Sequence, residues 1–255
     1  MKRLIAALIA AGACLASPSA RSEQLVTALS HDAVSITSNF TGSQVVIFGT
    51  IERDAQTVAR SSNYEVVVAL SGPLTTLVTR RKDRTVGLWI NRDSERIGRV
   101  PSFLSVHSTN DLEAIAAPSL RAQLGIGLDM LPINATTSKT PPVRTDFEDA
   151  FLRLMQESRL YKQEEGSVEF LSAQLFRVPV VLPANVPVGT YTATVFLFRD
   201  GAMLSTTSEE MIIEKVGFEQ LMTLYAHQHG LIYGIGTVLI ACLTGWLAGI
   251  IFRRD

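Results

Sequence analysis

Cysteine and histidine are scarce in this sequence, and neither sign of charge prevails. Of 255 residues only two are cysteines and four are histidines, against 23 basic and 24 acidic side chains. Cys14 and Cys242 each lie inside an apolar run near one end of the chain. The long stretch between those runs therefore offers no disulfide scaffold, thiol nucleophile or cysteine metal site. The near balance of charge, with cations scattered apart from one short run, argues against nucleic-acid binding. Nucleophilic hydrolysis needs a Ser, Cys or Thr activated by a base that a third group orients. No Gly-x-Ser-x-Gly elbow is present, and only His31 and His107 lie in the body of the chain. His31 and Asp32 are neighbours that an extended strand would point to opposite faces. No segment of about 20 to 50 residues repeats, which excludes a solenoid. The expectation is a chain without catalytic residues, cofactor or metal.

Apolar residues are abundant instead. They make up 47% of the chain, the mean hydropathy is +0.23, and the excess sits at the two ends. Met1-Lys2-Arg3 leads into an apolar run from Leu4 to Leu15 and then to the small residues Ala16, Ser17, Ser19 and Ala20. A basic start, an apolar run too short to cross a bilayer and a small-residue exit predict a signal peptide over residues 1–22. From Gly230 to Phe252 no residue is charged. At helical rise this segment is about 34 Å long, enough for a hydrocarbon core of about 30 Å, and predicts a membrane-spanning helix over 230–252. Arg253 and Arg254 follow it, whereas Glu214, Lys215 and Glu219 before it are mixed in sign. The positive-inside rule makes 253–255 a cytoplasmic tail and puts the body of the chain on the other side.

Residues 23–217 read as one β-rich domain, and 218–229 as its link to the membrane helix. Short β-branched runs such as Leu25–Leu29, Ala33–Ser38, Val45–Ile51, Tyr64–Leu70, Val86–Ile90 and Phe103–His107 are punctuated by Asn39, Gly42, Asp54, Gly72-Pro73, Asp83 and Pro101. This spacing predicts a mainly β fold, an antiparallel immunoglobulin-like sandwich. Asn134–Pro142 reads as a surface loop. One helical insertion is expected over about 146–165: Thr145-x-x-Glu148 has the form of a capping box, and Phe147, Phe151, Leu154, Met155 and Leu160 recur at helical spacing. Strands resume over Val168–Leu182, and Asp200-Gly201 between two β-rich runs predicts a tight hairpin. Tyr191, opening a late strand, stands where a tyrosine corner would bond nearby backbone. Three strands and a helix bury too little for a second core, so this segment is expected to complete the first sandwich.

Two constellations carry functional expectations. Arg80, Arg81, Lys82 and Arg84 place four cations in five positions, read as a turn, whose repulsion calls for water, an anion or an acidic partner. With Trp89 nearby they form a candidate contact for an anion, an anionic lipid or an envelope protein. In the membrane segment, Gly230, Gly234, Thr237, Ala241, Gly245, Ala248 and Gly249 are small residues at spacings of three and four. Ala241-x-x-x-Gly245 and Gly245-x-x-x-Gly249 allow a partner helix close backbone approach. His227-x-His229 lies just before the span; on a helix these positions diverge by about 200°, which disfavours a zinc pair and suits an interfacial anchor.

The runs Ile36-Thr-Ser-Asn-Phe-Thr-Gly42, Val46-Ile-Phe-Gly49, Gly72-Pro73, Arg80-Arg-Lys82 leading to Gly87-Leu-Trp89-Ile-Asn91, Val100-Pro-Ser-Phe103, Pro187-x-Gly189-x-Tyr191 and Gly245-Trp246 near Phe252-Arg253 resemble an alphaproteobacterial transmembrane-protein family. The resemblance covers nearly the whole chain and brings no activity and no site residues. It implies a bacterial inner-membrane protein with a periplasmic domain and, through an association with permeases of the sulfite-exporter type, a transport-accessory role. The expectation is a non-enzymatic, membrane-anchored interaction module whose partner is another integral membrane protein or a second copy. A periplasmic solute- or anion-binding domain and a cofactor-free envelope hydrolase are the rivals. The topology is tested with alkaline phosphatase fusions: the enzyme should be active in intact cells when joined after Val216 and inactive when joined after Asp255.

Overall fold

The computed structural model describes residues 23–52, 64–133, 145–217 and 226–251. The expected signal peptide, the Asn134–Pro142 loop, most of the 218–229 link and the Arg253-Arg254 tail lie outside the described residues. In chain order the elements are β1 (Gln24–Leu29), β2 (Ala33–Ile36), β3 (Gly42–Glu52), β4 (Glu65–Ser71), β5 (Leu74–Thr85), β6 (Leu88–Pro101), β7 (Leu104–Ser108), α1 (Leu112–Ile115), α2 (Pro118–Leu124), α3 (Asp146–Glu157), β8 (Tyr161–Glu164), β9 (Glu169–Phe170), β10 (Leu175–Pro183), β11 (Gly189–Arg199), β12 (Ala202–Lys215) and α4 (Gly230–Ile251).

The sandwich follows from alternation. In β3, Val45, Ile47 and Ile51 are buried, and in β10 the alternate residues Phe176, Val178, Val180 and Leu182 are. These strands form the middle of a four-stranded sheet ordered β1-β3-β10-β9. Facing it is a six-stranded sheet ordered β2-β12-β11-β4-β7-β8. Its inward side chains, among them Val66, Val68, Leu70, Ala193, Val195, Met211 and Ile213, complete one core with those of the first sheet. The pairing is antiparallel except at the two edges of the larger sheet, where β2 runs parallel to β12 and β8 parallel to β7. The late strands complete the first sandwich as expected: β10 joins one sheet, and β11 and β12 the other.

The larger sheet is also apolar on its second face. Val67, Leu104, Val106, Phe196 and Phe198 pack there against Ile115, Ile126, Phe151, Leu152 and Met155 and against Ile97 and Val100 of β6, forming a second core. α1 and α2 belong to this layer, in a stretch after Asn110 to which the sequence pattern assigns no element. The helical insertion is shorter than the expected 146–165. Its capping box is present, with Glu148 N donating to Thr145 Oγ1 at 3.2 Å and Thr145 N to Glu148 Oε2 at 2.9 Å. It ends at Glu157, because Arg159 takes φ 60° and turns the chain into β8. Leu160 and Tyr161 therefore lie beyond the helix. Strands resume over 168–182 as expected, as the two strands β9 and β10 separated by residues 171–174. Two local expectations hold. Asp200 and Gly201 have φ of 50° and 80°, as a I′-type hairpin between β11 and β12 requires. Tyr191 Oη donates to Pro187 O at 2.7 Å, tying the start of β11 to the turn before it.

One glycine sets the spacing of the first core. A Cβ on Gly49 of β3 would stand 2.2 Å from Cζ of Phe176 on the neighbouring β10, far inside van der Waals contact. Gly49→Ala should therefore lower stability by about 1–3 kcal/mol through overpacking, measured by chemical denaturation of the detergent-solubilised chain.

Candidate functional site

The closest approach to a catalytic grouping lies at the β7–β8 edge. Ser105 and His107, two residues apart on β7, pair across the ladder with Leu70 and Val68, so both face the sandwich core. His107 Nε2 is 2.9 Å from Ser105 Oγ, and Nδ1 is 2.8 Å from Ser167 Oγ. Ser167 donates its single hydroxyl hydrogen to Glu164 O at 2.7 Å, so it must accept from His107 Nδ1–H, leaving Nε2 to accept from Ser105. Glu164 Oε2 stands 3.6 Å from Nδ1, beyond direct hydrogen-bond distance. Serine, imidazole and carboxylate are thus neighbours, but Ser105 and His107 are each only 1% exposed. The arrangement satisfies a buried imidazole and presents no nucleophile to a substrate. The sequence named His107; Ser105, Ser167 and Glu164 emerge only from the pairing of β7 with β8. His31, the other candidate base, is exposed and hydrogen-bonds Ser30 Oγ at 2.9 Å.

A second polar feature lies beneath α1 and α2. Arg121, 3% exposed, reaches Asp129 Oδ2 at 3.0 Å and Glu113 Oε1 at 3.9 Å, and with Asp111, Gln156 and Gln163 it lines an open cleft of about 930 Å³. The chain's own carboxylates neutralise this guanidinium.

The basic run sits in a strand, not a turn. Arg80, Arg81, Lys82 and Arg84 belong to β5, and the turn of the β5–β6 hairpin lies beyond them at Val86-Gly87, with φ of 51° and 84°. Cross-strand register sorts the four cations. Lys82 opposes Asn91 and Arg84 opposes Trp89, and Arg80 follows in the same alternation opposite Ser94, so these side chains share one face. Arg81 points to the other face, which packs toward α3. There it meets Asp93 Oδ2 at 2.8 Å and lies over the Phe147 ring at 5.5 Å, while Arg92 meets Asp83 Oδ2 at 3.0 Å. Asp93, by hydrogen bonding and charge, raises the pKa of Arg81 above its ordinary value. Arg80, Lys82 and Arg84 form no ion pair among the described residues. The acidic partner that the sequence called for exists, but for Arg81 alone of the four.

The third feature is α4. Its 22 residues hold an 18-residue stretch of mean hydropathy 2.0, and none is buried in the chain. Gly230, Gly234, Thr237, Ala241, Gly245, Ala248 and Gly249 fall within about 120° of arc. A Cβ built on any of the glycines of this stripe meets nothing within 4 Å. Thr237 Oγ1 donates to Gly234 O at 2.8 Å and Thr244 Oγ1 to Ile240 O at 2.9 Å, so both hydroxyls are satisfied within the helix. Just ahead of it, His227 is exposed, and His229 O accepts from Tyr233 N at 2.9 Å.

A two-sheet sandwich with a separate β5–β6 hairpin, followed by a helix long and apolar enough to cross a bilayer, defines a membrane-anchored β-sandwich protein. The chain belongs to the family described as "Putative transmembrane protein (Alph_Pro_TM)", which matches residues 24–254. The match spans the sandwich and the anchor helix alike. No curated protein matches the chain.

The buried imidazole makes the domain sensitive to acid. Burial lowers the His107 pKa from 6.5 to about 4, against a smaller opposing effect of the Glu164 charge. Between these values the unfolded chain binds a proton that the native chain does not. The contribution of His107 is therefore complete above about pH 6.5, declines as the pH falls, and is lost near pH 4. The full loss is about 3 kcal/mol. Unfolding free energies measured across this range should fall more steeply for the native sequence than for His107→Gln.

Proposed function

We propose that this chain is a non-enzymatic accessory protein of the bacterial inner membrane. It holds its sandwich in the periplasm and meets another integral membrane protein, or a second copy, through the small face of α4. The observation that carries this reading is the open glycine face itself. In lipid, helix association rests on close packing of small surfaces, because the tails are as apolar as the side chains. A helix serving only as an anchor needs apolar length and no smooth side. With both threonine hydroxyls used internally, the stripe acts by van der Waals approach and not by interhelical hydrogen bonds. The family resemblance makes a permease of the sulfite-exporter type the first partner to examine. The sealed Ser105–His107 pair favours this reading over a hydrolase.

The test compares one substitution on opposite sides of the helix. Gly245 lies in the stripe and Gly236 nearly opposite it, and neither has a neighbour within 4 Å of an added Cβ. Both Gly245→Leu and Gly236→Leu keep the span apolar, so insertion should survive. Gly245→Leu should abolish cross-linking and co-purification with the helix partner, and Gly236→Leu should leave both intact. Equal behaviour of the two variants would reduce α4 to an anchor.

A further inference from the structure

We propose that the β5–β6 hairpin is an arm that docks on anionic phospholipid headgroups of the bilayer holding α4. Its outward face carries Arg80, Lys82 and Arg84 at alternate positions, with Trp89 directly opposite Arg84. Among the described residues these cations have no ion pair, although carboxylates are close by on the inner face, where Asp93 and Asp83 hold Arg81 and Arg92. The fold thus separates a neutralised face from a uniformly basic one. Beyond the cations the tip is apolar: Val86 is 97% exposed, Leu88 70% and Trp89 69%. Stranded apolar side chains next to unpaired cations, with an indole between them, are the composition of a surface that enters the headgroup region while its charges meet lipid phosphates. The exposed ribbon sets its cations about 7 Å apart along one face, a row that meets several headgroups at once. Reach is sufficient. Only Val216–His229, 14 residues, separates β12 from α4, at most about 50 Å of chain, and the hairpin runs about 40 Å from its packed base to its tip. Arg81, although part of the same sequence run, does not take part.

The two tryptophans make this measurable in the full chain. With Trp246→Phe in place, Trp89 is the sole indole. The protein is reconstituted into liposomes of phosphatidylcholine alone or of an equimolar mixture with phosphatidylglycerol, and Trp89 emission and its quenching by bromine-labelled lipid are recorded. Docking predicts a blue shift and quenching in the anionic liposomes and a water-exposed indole in the neutral ones. Combined Arg80→Gln, Lys82→Gln and Arg84→Gln should lower the docked-to-free ratio on the order of 100-fold, roughly fivefold for each cation, whereas Arg81→Gln should change it little. The proposal is overturned by equal emission in both liposomes, by an Arg81→Gln effect as large as that of Arg80→Gln, or by quenching that requires a second membrane protein. Because these readouts do not depend on what α4 packs against, they separate from the fate of the helix-partner reading.

Discussion

The six-stranded sheet is apolar on both faces, and the rest of the domain is arranged to cover it twice. The demand is clearest in β4, where Val66, Val67, Val68 and Leu70 are all fully buried, although neighbouring residues point to opposite sides. Each such side chain contributes about 1.5–3 kcal/mol only if its own side is sealed from water. The four-stranded sheet seals one side, and the helices with the base of the β5–β6 hairpin seal the other. The two parallel pairings follow from the same demand: β2 and β8 lengthen the sheet at its edges with short segments instead of leaving β12 and β7 open.

Covering a sheet on both sides also encloses polar groups, and the fold disposes of them locally. Tyr161 Oη donates to Pro101 O at 2.6 Å and Tyr191 Oη to Pro187 O at 2.7 Å, while burial raises both phenol pKa values well above their ordinary range. His107 receives the same treatment with two serines, and burial holds it neutral. The geometry that makes Ser105 and His107 look like chemistry is the geometry that a buried imidazole needs, with one donor and one acceptor supplied at hydrogen-bond distance. Access separates a catalytic pair from a structural one. Here the serine hydroxyl is inside the wall.

Much of this architecture was legible because it is written in local periods. Alternation in β3, β10 and β11, Asp200-Gly201, Thr145-x-x-Glu148 and the uncharged stretch of α4 each require only a window of a dozen residues or fewer, or a simple absence of charge. What escaped was set by distant partners. Leu160 and Tyr161 continue the helical spacing of α3, and only the chance to pair with β7 draws Tyr161–Glu164 into a strand. The run Arg80–Arg84 has little β propensity and reads as a turn, yet its pairing with β6 holds it extended. The helices α1 and α2 are too short to show a period.

The same reasoning explains why four adjacent cations divide into two kinds. Strand alternation alone would place Arg80, Lys82 and Arg84 on one side and Arg81 on the other, but it says nothing of which side is covered. That is decided by α3, whose first turn supplies Phe147 beneath Arg81, and by the bulge between Arg81 and Lys82, which leaves Arg92 extra and lets both Asp93 and Asp83 find a cation on the inner face. Carboxylates engaged there are not available outside, so among the described residues the outer face keeps cations without an ion pair, in a chain whose total charge is nearly zero. A surface charge of that kind repels itself and costs stability unless counter-charge arrives from elsewhere. In a protein anchored by its own helix, the bilayer is the anionic surface always within reach.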